Sequence, residues 1–225
     1  MKKIICLLLA LTCVFALISC GGEKGIDKFI GLVDASEPTK IVTHTHITYG
    51  EEEPLEGRFV TSVEGNNSTL EYWYERNAIP GVDDSEDPIM EIDGVIYYKD
   101  GKYSEDGENW TTSTPDANVV NVKFELNAKR LGSYVLSKDG KTLTTIVTAA
   151  NAEKLFGIKL ENVVDDSVVV TIKNNGTYLV AVTISYSITA EDGTVADVIV
   201  DTSYTYNVIP TEGDDETTEG GGEEE

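Results

Sequence analysis

The chain has 225 residues, with 17 Lys and Arg against 40 Asp and Glu, for a formal net charge of −23. A field of that sign repels phosphates, which argues against DNA, RNA and anionic lipid headgroups as partners. It suits a soluble domain in a cation-rich wall space.

Residues 1–20 fall into three parts. Lys2 and Lys3 are followed by an apolar run from Ile4 to Ile18, broken only by Thr12, and then by Ser19 and Cys20. A positive start, a short apolar stretch and small residues at the cut mark a secretory signal. The run is shorter than the ~20 residues a spanning helix needs. Leu17-Ile18-Ser19-Cys20 resembles the bacterial lipobox, an aliphatic residue, a variable one, a small one and then Cys. That resemblance implies a diacylglyceryl thioether on Cys20, cleavage just before it, and a protein anchored by acyl chains to the extracytoplasmic face of the cell membrane. Acyl chains bury ~0.8 kcal/mol per methylene, so a doubly acylated residue holds far better than a single chain. Cys6 and Cys13 leave with the signal, so the mature chain has no disulfide framework, no thiolate metal site and no Cys nucleophile. Loss of Lys2 and Lys3 takes the basic count from 17 to 15, against 40 acidic residues.

Residues 20–25 read as the lipidated Cys and a short tether, which keeps the domain close to the membrane. Ile26, Phe29, Ile30 and Val33 then recur at i, i+3, i+4, i+7, the apolar stripe of a helix that Pro38 stops. From Lys40 the period is two: Ile41, Thr43, Thr45, Ile47 and Tyr49 share one face of a strand, with His44 and His46 on the other. Glu51-Glu52-Glu53-Pro54 makes a turn. Residues 56–64 and 69–76 read as a hairpin, and residues 77–88 as a long acidic loop. Strands are expected at 89–92, 95–99, 102–104 and 108–112, with turns at Asp93-Gly94, Asp100-Gly101 and Asp106-Gly107. Residues 119–127 alternate like a strand, with a helix as the other reading. A hairpin spans 133–137 and 141–148 across Lys138-Asp139-Gly140. Ala149 to Phe156 reads as a short helix ended by Gly157, and strands at 167–173, 177–189 and 194–208 close the domain. Residues 211–225 carry eight acidic residues and no Lys or Arg, a composition expected to stay disordered.

The chemistry-bearing candidates are sparse. His44 and His46, spaced i, i+2 on one strand face, with a carboxylate such as Glu52, offer zinc ligands in principle. They read instead as ordinary strand positions, so no metal is assigned. Asp83, Asp84, Glu86 and Asp87 lack the alternation and the Gly of a calcium loop and read as a solvated loop. There is no Gly-x-Ser-x-Gly elbow and no phosphate loop, so no catalytic residue and no cofactor is assigned and the chain is not read as an enzyme. A carboxylate pair for glycoside hydrolysis has no local signature. Tyr72, Trp73, Tyr74, Tyr97, Tyr98 and Trp110 cluster in neighbouring hairpins. Aromatics more often fill cores than line ligand sites, but an open sheet with an apolar concave face needs a cover or a guest. On that ground Tyr72, Tyr74, Tyr97 and Trp110 are the candidate ligand-binding residues.

The order of elements is similar to that of the half-barrel lipoproteins, the LolA/LolB-like carriers and the mycobacterial LppX/LprG-like proteins. It runs from a lipidated Cys through a tether, a helix, antiparallel hairpins and a short helix to a closing meander. The resemblance covers residues 26–208 and carries no motif that assigns a residue. It implies an α+β, mostly antiparallel fold in one domain, residues 26–210. A curved open sheet wraps one or two short helices, and the cavity between them takes acyl chains or lipoproteins. The leading expectation is therefore a monomeric, membrane-anchored protein that binds or carries a lipid or other apolar or amphiphilic ligand. A cell-surface structural or protein-interaction module with a filled sheet is the alternative.

Overall fold

The protein is described from a computed structural model over residues 23–78, 88–112, 126–157, 160–190 and 193–207. The expected signal, Cys20, the acidic run Asp83–Asp87, most of 119–127 and the expected tail 211–225 lie outside the described residues.

The first element is helix α1 (Glu23–Asp34), which takes in Glu23, Lys24 and Gly25 of the expected tether. Its stripe is the expected one: Ile26, Phe29 and Val33 are buried. Ser36 fastens its end. The hydroxyl donates to the Leu32 carbonyl at 3.0 Å and accepts the Leu179 N–H at 2.9 Å, so a buried polar group is satisfied in both roles. At the other end Gly25 lies against Leu136.

Strands β1 (Lys40–Tyr49), β2 (Leu55–Glu64), β3 (Asn67–Arg76), β4 (Ile89–Lys99) and β5 (Lys102–Ser104) follow as a meander. After α2 (Ala128–Leu131) come β6 (Tyr134–Leu136), β7 (Thr142–Val147), α3 (Ala149–Phe156), β8 (Val168–Asn174), β9 (Leu179–Thr189) and β10 (Val195–Thr205). All ten strands form one antiparallel sheet in the order β5-β4-β3-β2-β1-β10-β9-β8-β7-β6. Two five-stranded meanders thus meet at the first and last strands. Their seam runs from Lys40↔Thr205 to Tyr49↔Ala196, with the Thr43 and Thr202 hydroxyls 3.0 Å apart across it. The sheet is open, and β5 and β6 are its edges. The chain is α+β and mostly antiparallel, with short helices on one face of a half-barrel.

The helices cover one half of that face. Ile26, Phe29 and Val33 of α1, Leu131 of α2 and Ala152, Leu155 and Phe156 of α3 form one cluster with Leu143, Val168, Val170, Ile172, Val182 and Ile184. Every strand residue in that cluster belongs to β6–β10. Buried Thr145 stands among these side chains and donates its hydroxyl proton to the Leu131 or Ser133 carbonyl, tying the α2 turn to β7. Helix α3 has the ends the sequence indicates: Thr148 caps it by accepting the Asn151 N–H at 3.3 Å, and Gly157 ends it at φ 67°.

Three expectations change. Asp93-Gly94 is not a turn, and β4 runs straight through it, pairing Trp73↔Asp93 and Tyr72↔Gly94. A two-residue type I′ turn needs positive φ at both positions, and neither residue has it. Residues 108–112 form no strand, only a bridge between Thr111 and Tyr103. Helix α2, four residues long, was not anticipated, because a single turn shows no periodicity.

Candidate functional site

Pairing register decides which side chains share a face, since antiparallel partners project to the same side. Starting from Val200 on β10, which packs against that core, the same side carries Val198 and, on β1, Ile41, Thr43, Thr45 and Ile47. It continues through Leu55, Gly57, Phe59 and Thr61 on β2, and Leu70, Tyr72 and Tyr74 on β3. It ends with Gly94, Ile96 and Tyr98 on β4 and Tyr103 on β5. Ile41, Leu55, Leu70 and Ile96 are buried, while Phe59, Tyr72, Tyr74, Tyr98 and Tyr103 are partly exposed. The concave face therefore has two halves of different character. Over β6–β10 it is a largely aliphatic core under helices, with Tyr186 and Tyr204 packed against it. Over β1–β5 it is aromatic, and none of its residues enters that core cluster.

The aromatic half is built in layers. Phe59 and Tyr72 stack across β2–β3 with centroids 6.3 Å apart and planes 10° apart. Tyr98 and Tyr103 meet at 5.1 Å across β4–β5. Both candidate tyrosines of β3 face a glycine on a neighbouring strand, Tyr74 opposite Gly57 and Tyr72 opposite Gly94. The Tyr72 ring lies over Gly94 so closely that a Cβ there would stand 2.7 Å from the hydroxyl oxygen. Glycine under an aromatic partner lets the ring lie flat on the sheet instead of standing up from it.

Of the four residues expected to bind ligand, Tyr72 and Tyr74 stand together on this face. Tyr97 is one residue out of phase and lies on the convex face, near Gly107 of the next loop. Trp110 sits in that loop, 38% exposed. The loop is held by Asp106, whose Oδ1 accepts the Glu108 and Asn109 N–H groups and the Ser104 hydroxyl, at 2.7 to 2.9 Å. Those donors, Asn109 foremost, hold the exposed Asp106 carboxyl well below the usual range. Phe59 and Tyr103 complete the aromatic half without having been singled out. Counting register outward from β1 would have found them, because each is an even number of positions from a residue paired to that face.

On the convex face His44 and His46 stack with centroids 6.4 Å apart, and His46 Nδ1 lies 2.8 Å from the Glu56 carboxylate. Glu52 stands in the exposed β1–β2 turn. Among the described residues no three His, Cys, Asp or Glu side chains gather to hold a metal.

No protein-family model and no curated protein matches the chain. Among solved structures it is similar to an S-type phycobiliprotein lyase from Guillardia theta, at 9% identity and a TM-score of 0.30, covering 81% of this chain and 94% of that one. It is also similar to a LolA superfamily protein from Nitrosomonas europaea, at 9% identity and a TM-score of 0.25, covering 81% and 92%. At these scores neither alignment carries an argument about ligand or activity.

Proposed function

We propose that the protein is an extracytoplasmic lipoprotein, anchored through Cys20, that binds an apolar or amphiphilic ligand against the aromatic half of its concave face. The observation that carries the binding reading is the division of that face. Helices cluster over β6–β10, and the partly exposed rings of Phe59, Tyr72, Tyr74, Tyr98 and Tyr103 share the same side over β1–β5. Flat aromatic rings among buried aliphatic residues offer an acyl chain dispersion contact at little conformational cost. The role is binding or carriage and not catalysis.

Native mass spectrometry of residues 21–210, purified without detergent, tests the binding. A mass that exceeds the chain and returns to it on organic extraction supports the reading. A bare mass, unchanged after incubation with lipid extract, moves the protein to the interaction-module alternative. The anchor is tested separately. Cys20→Ala should release the protein to the medium, and unchanged membrane retention would count against lipidation.

A further inference from the structure

The convex face carries the two histidines of the chain side by side. Alternation along β1 puts His44 and His46 on one side of the strand. Their rings lie 13° from parallel, with centroids 6.4 Å apart. Their surroundings differ. His46 Nδ1 lies 2.9 and 2.8 Å from the two carboxylate oxygens of Glu56, its partner across β1–β2. A neutral imidazole placed this way keeps its proton on Nδ1 and donates it to the carboxylate, which leaves the Nε2 lone pair free. His44 is exposed and has no hydrogen-bond partner among the described residues, so either ring nitrogen is open to an ion. Glu56 is fixed in turn, because its backbone N–H donates to Glu75 Oε2 at 3.1 Å.

The charge around the pair favours a cation on every side. Strand β2 presents Glu56 and Arg58, and β3 brings the Glu75 carboxylate against β2. Strand β10 presents Asp201 opposite His44 and Asp197 opposite Thr48. The next strand, β9, adds only the hydroxyls of Thr183, Ser185 and Ser187 to that face. Arg58, across from His44, thus stands against four carboxylates among the described residues. Further along the chain, Lys40 begins β1 at one end and Glu51, Glu52 and Glu53 follow it at the other. An excess of carboxylates this close raises the local concentration of cations.

We infer that His44 and His46 form a two-imidazole site for a borderline divalent transition-metal ion of the zinc and copper class, with Glu56 as the positioning residue behind His46. Imidazole nitrogen suits such ions, whereas magnesium and calcium take oxygen ligands. Zinc holds imidazole nitrogen at ~2.1 Å, which sets two ring centroids on one tetrahedral ion roughly 5 Å apart, so the pair must close by about 1 Å. Rotation of the exposed His44 side chain supplies that movement. A carboxylate behind a ligating histidine fixes its tautomer and raises its basicity, which is the place Glu56 occupies. No third side chain joins the pair among the described residues, so the other coordination positions go to water. Asp201 holds one oxygen on the Thr183 hydroxyl at 2.6 Å and keeps the other to accept from such a water. A structural zinc would be closed by four ligands; this site is open and exchanges its ion with solution. The inference does not rest on the anchor at Cys20 or on the aromatic face, which lies on the other side of the sheet.

The test uses the chain from Cys20 to Glu225, made without residues 1–19 and without a tag. It carries Cys20→Ser, so that no thiol competes, and isotope-labelled histidine. The chain has two histidines, so the two imidazole Cε1–H signals in its NMR spectrum report on this site alone. Zinc chloride at neutral pH should shift both signals together to a saturating end point, and magnesium chloride at the same concentrations should shift neither. Acidification should reverse the zinc shift, because protons compete for the ligating nitrogens. Glu56→Gln should weaken zinc binding about tenfold or more, and His44→Gln or His46→Gln at least as much, read on the histidine that remains. Two unmoved signals in excess zinc would overturn the inference. A shift confined to one signal would overturn it too, because the ion would then sit on a lone imidazole. Unchanged affinity in Glu56→Gln would remove Glu56 from the site. Loss of the zinc response on deletion of 211–225 would assign the ion to the acidic tail and overturn the inference as well.

Discussion

Replacing Gly94 with alanine puts a methyl carbon 2.7 Å from the Tyr72 hydroxyl oxygen and 2.8 Å from Cζ. Neither distance is tolerable, so the ring must leave its seat. In doing so it gives up its stack on Phe59, at 6.3 Å, a contact of about 0.5–1.5 kcal/mol. Against this, alanine in a strand interior is favoured over glycine by about 0.5–1 kcal/mol because less backbone entropy is lost on folding. The two nearly cancel, so Gly94→Ala alone should lie between neutral and about 1 kcal/mol destabilising. In a Tyr72→Ala background the methyl group has room and the entropy gain stands alone. There Gly94→Ala should stabilise by about 0.5–1 kcal/mol. Urea denaturation of the four proteins, followed by tryptophan fluorescence, gives the coupling energy directly, expected at about 1 kcal/mol. If Gly94→Ala has the same effect in both backgrounds to within about 0.3 kcal/mol, the ring does not lie on Gly94. The account of a flat aromatic floor on β1–β5 would then fail with it.

Other consequences separate the two halves of the face and the surface from the core. Leu143, with 0% exposure under the helices, should cost about 3 kcal/mol when truncated to alanine, read as a fall in the urea midpoint without a change in slope. Thr148→Ala removes the cap of α3 and should cost about 1 kcal/mol in the same assay. Glu56→Gln, breaking a pair whose side chains are about a third exposed, should change stability by less than about 0.5 kcal/mol. Burial pushes the Tyr204 phenol far above its ordinary value of 10.0, and raises Tyr186 as well. The unfolded chain ionises these groups near that ordinary value while the fold keeps them neutral. Their contribution is therefore whole below pH ~10 and is lost as pH climbs toward the raised folded values. Absorbance at 295 nm in an alkaline titration should show a tyrosine fraction that ionises only as the protein unfolds. Smooth titration of all tyrosines with circular dichroism unchanged would contradict their burial.

Local pattern was enough for most elements, because periodicity and turn chemistry are written in neighbouring residues. The stripe Ile26, Phe29, Val33 announced α1, and Thr148 with Gly157 bounded α3. Asn174-Asn175-Gly176 and Asp100-Gly101 marked real reversals. Asp93-Gly94 looked the same and was not one, since its glycine answers to the Tyr72 ring on the neighbouring strand, a contact more than twenty positions away in sequence. Tyr98, and not the expected Tyr97, lies on the face of Tyr72 and Tyr74, because one step along a strand moves a side chain to the other face of a sheet.

The sequence by itself therefore determined the class of fold, an antiparallel sheet with short helices, and the net charge. Only the tertiary structure decided that β1 and β10 pair, which joins two meanders into one sheet whose helix-packed core lies over β6–β10 alone. Pairing partners and the ends of strands are set by contacts between residues as far apart as Lys40 and Thr205. No window of neighbouring residues contains the energy that selects such contacts, because it comes from pairing and packing between strands distant in sequence.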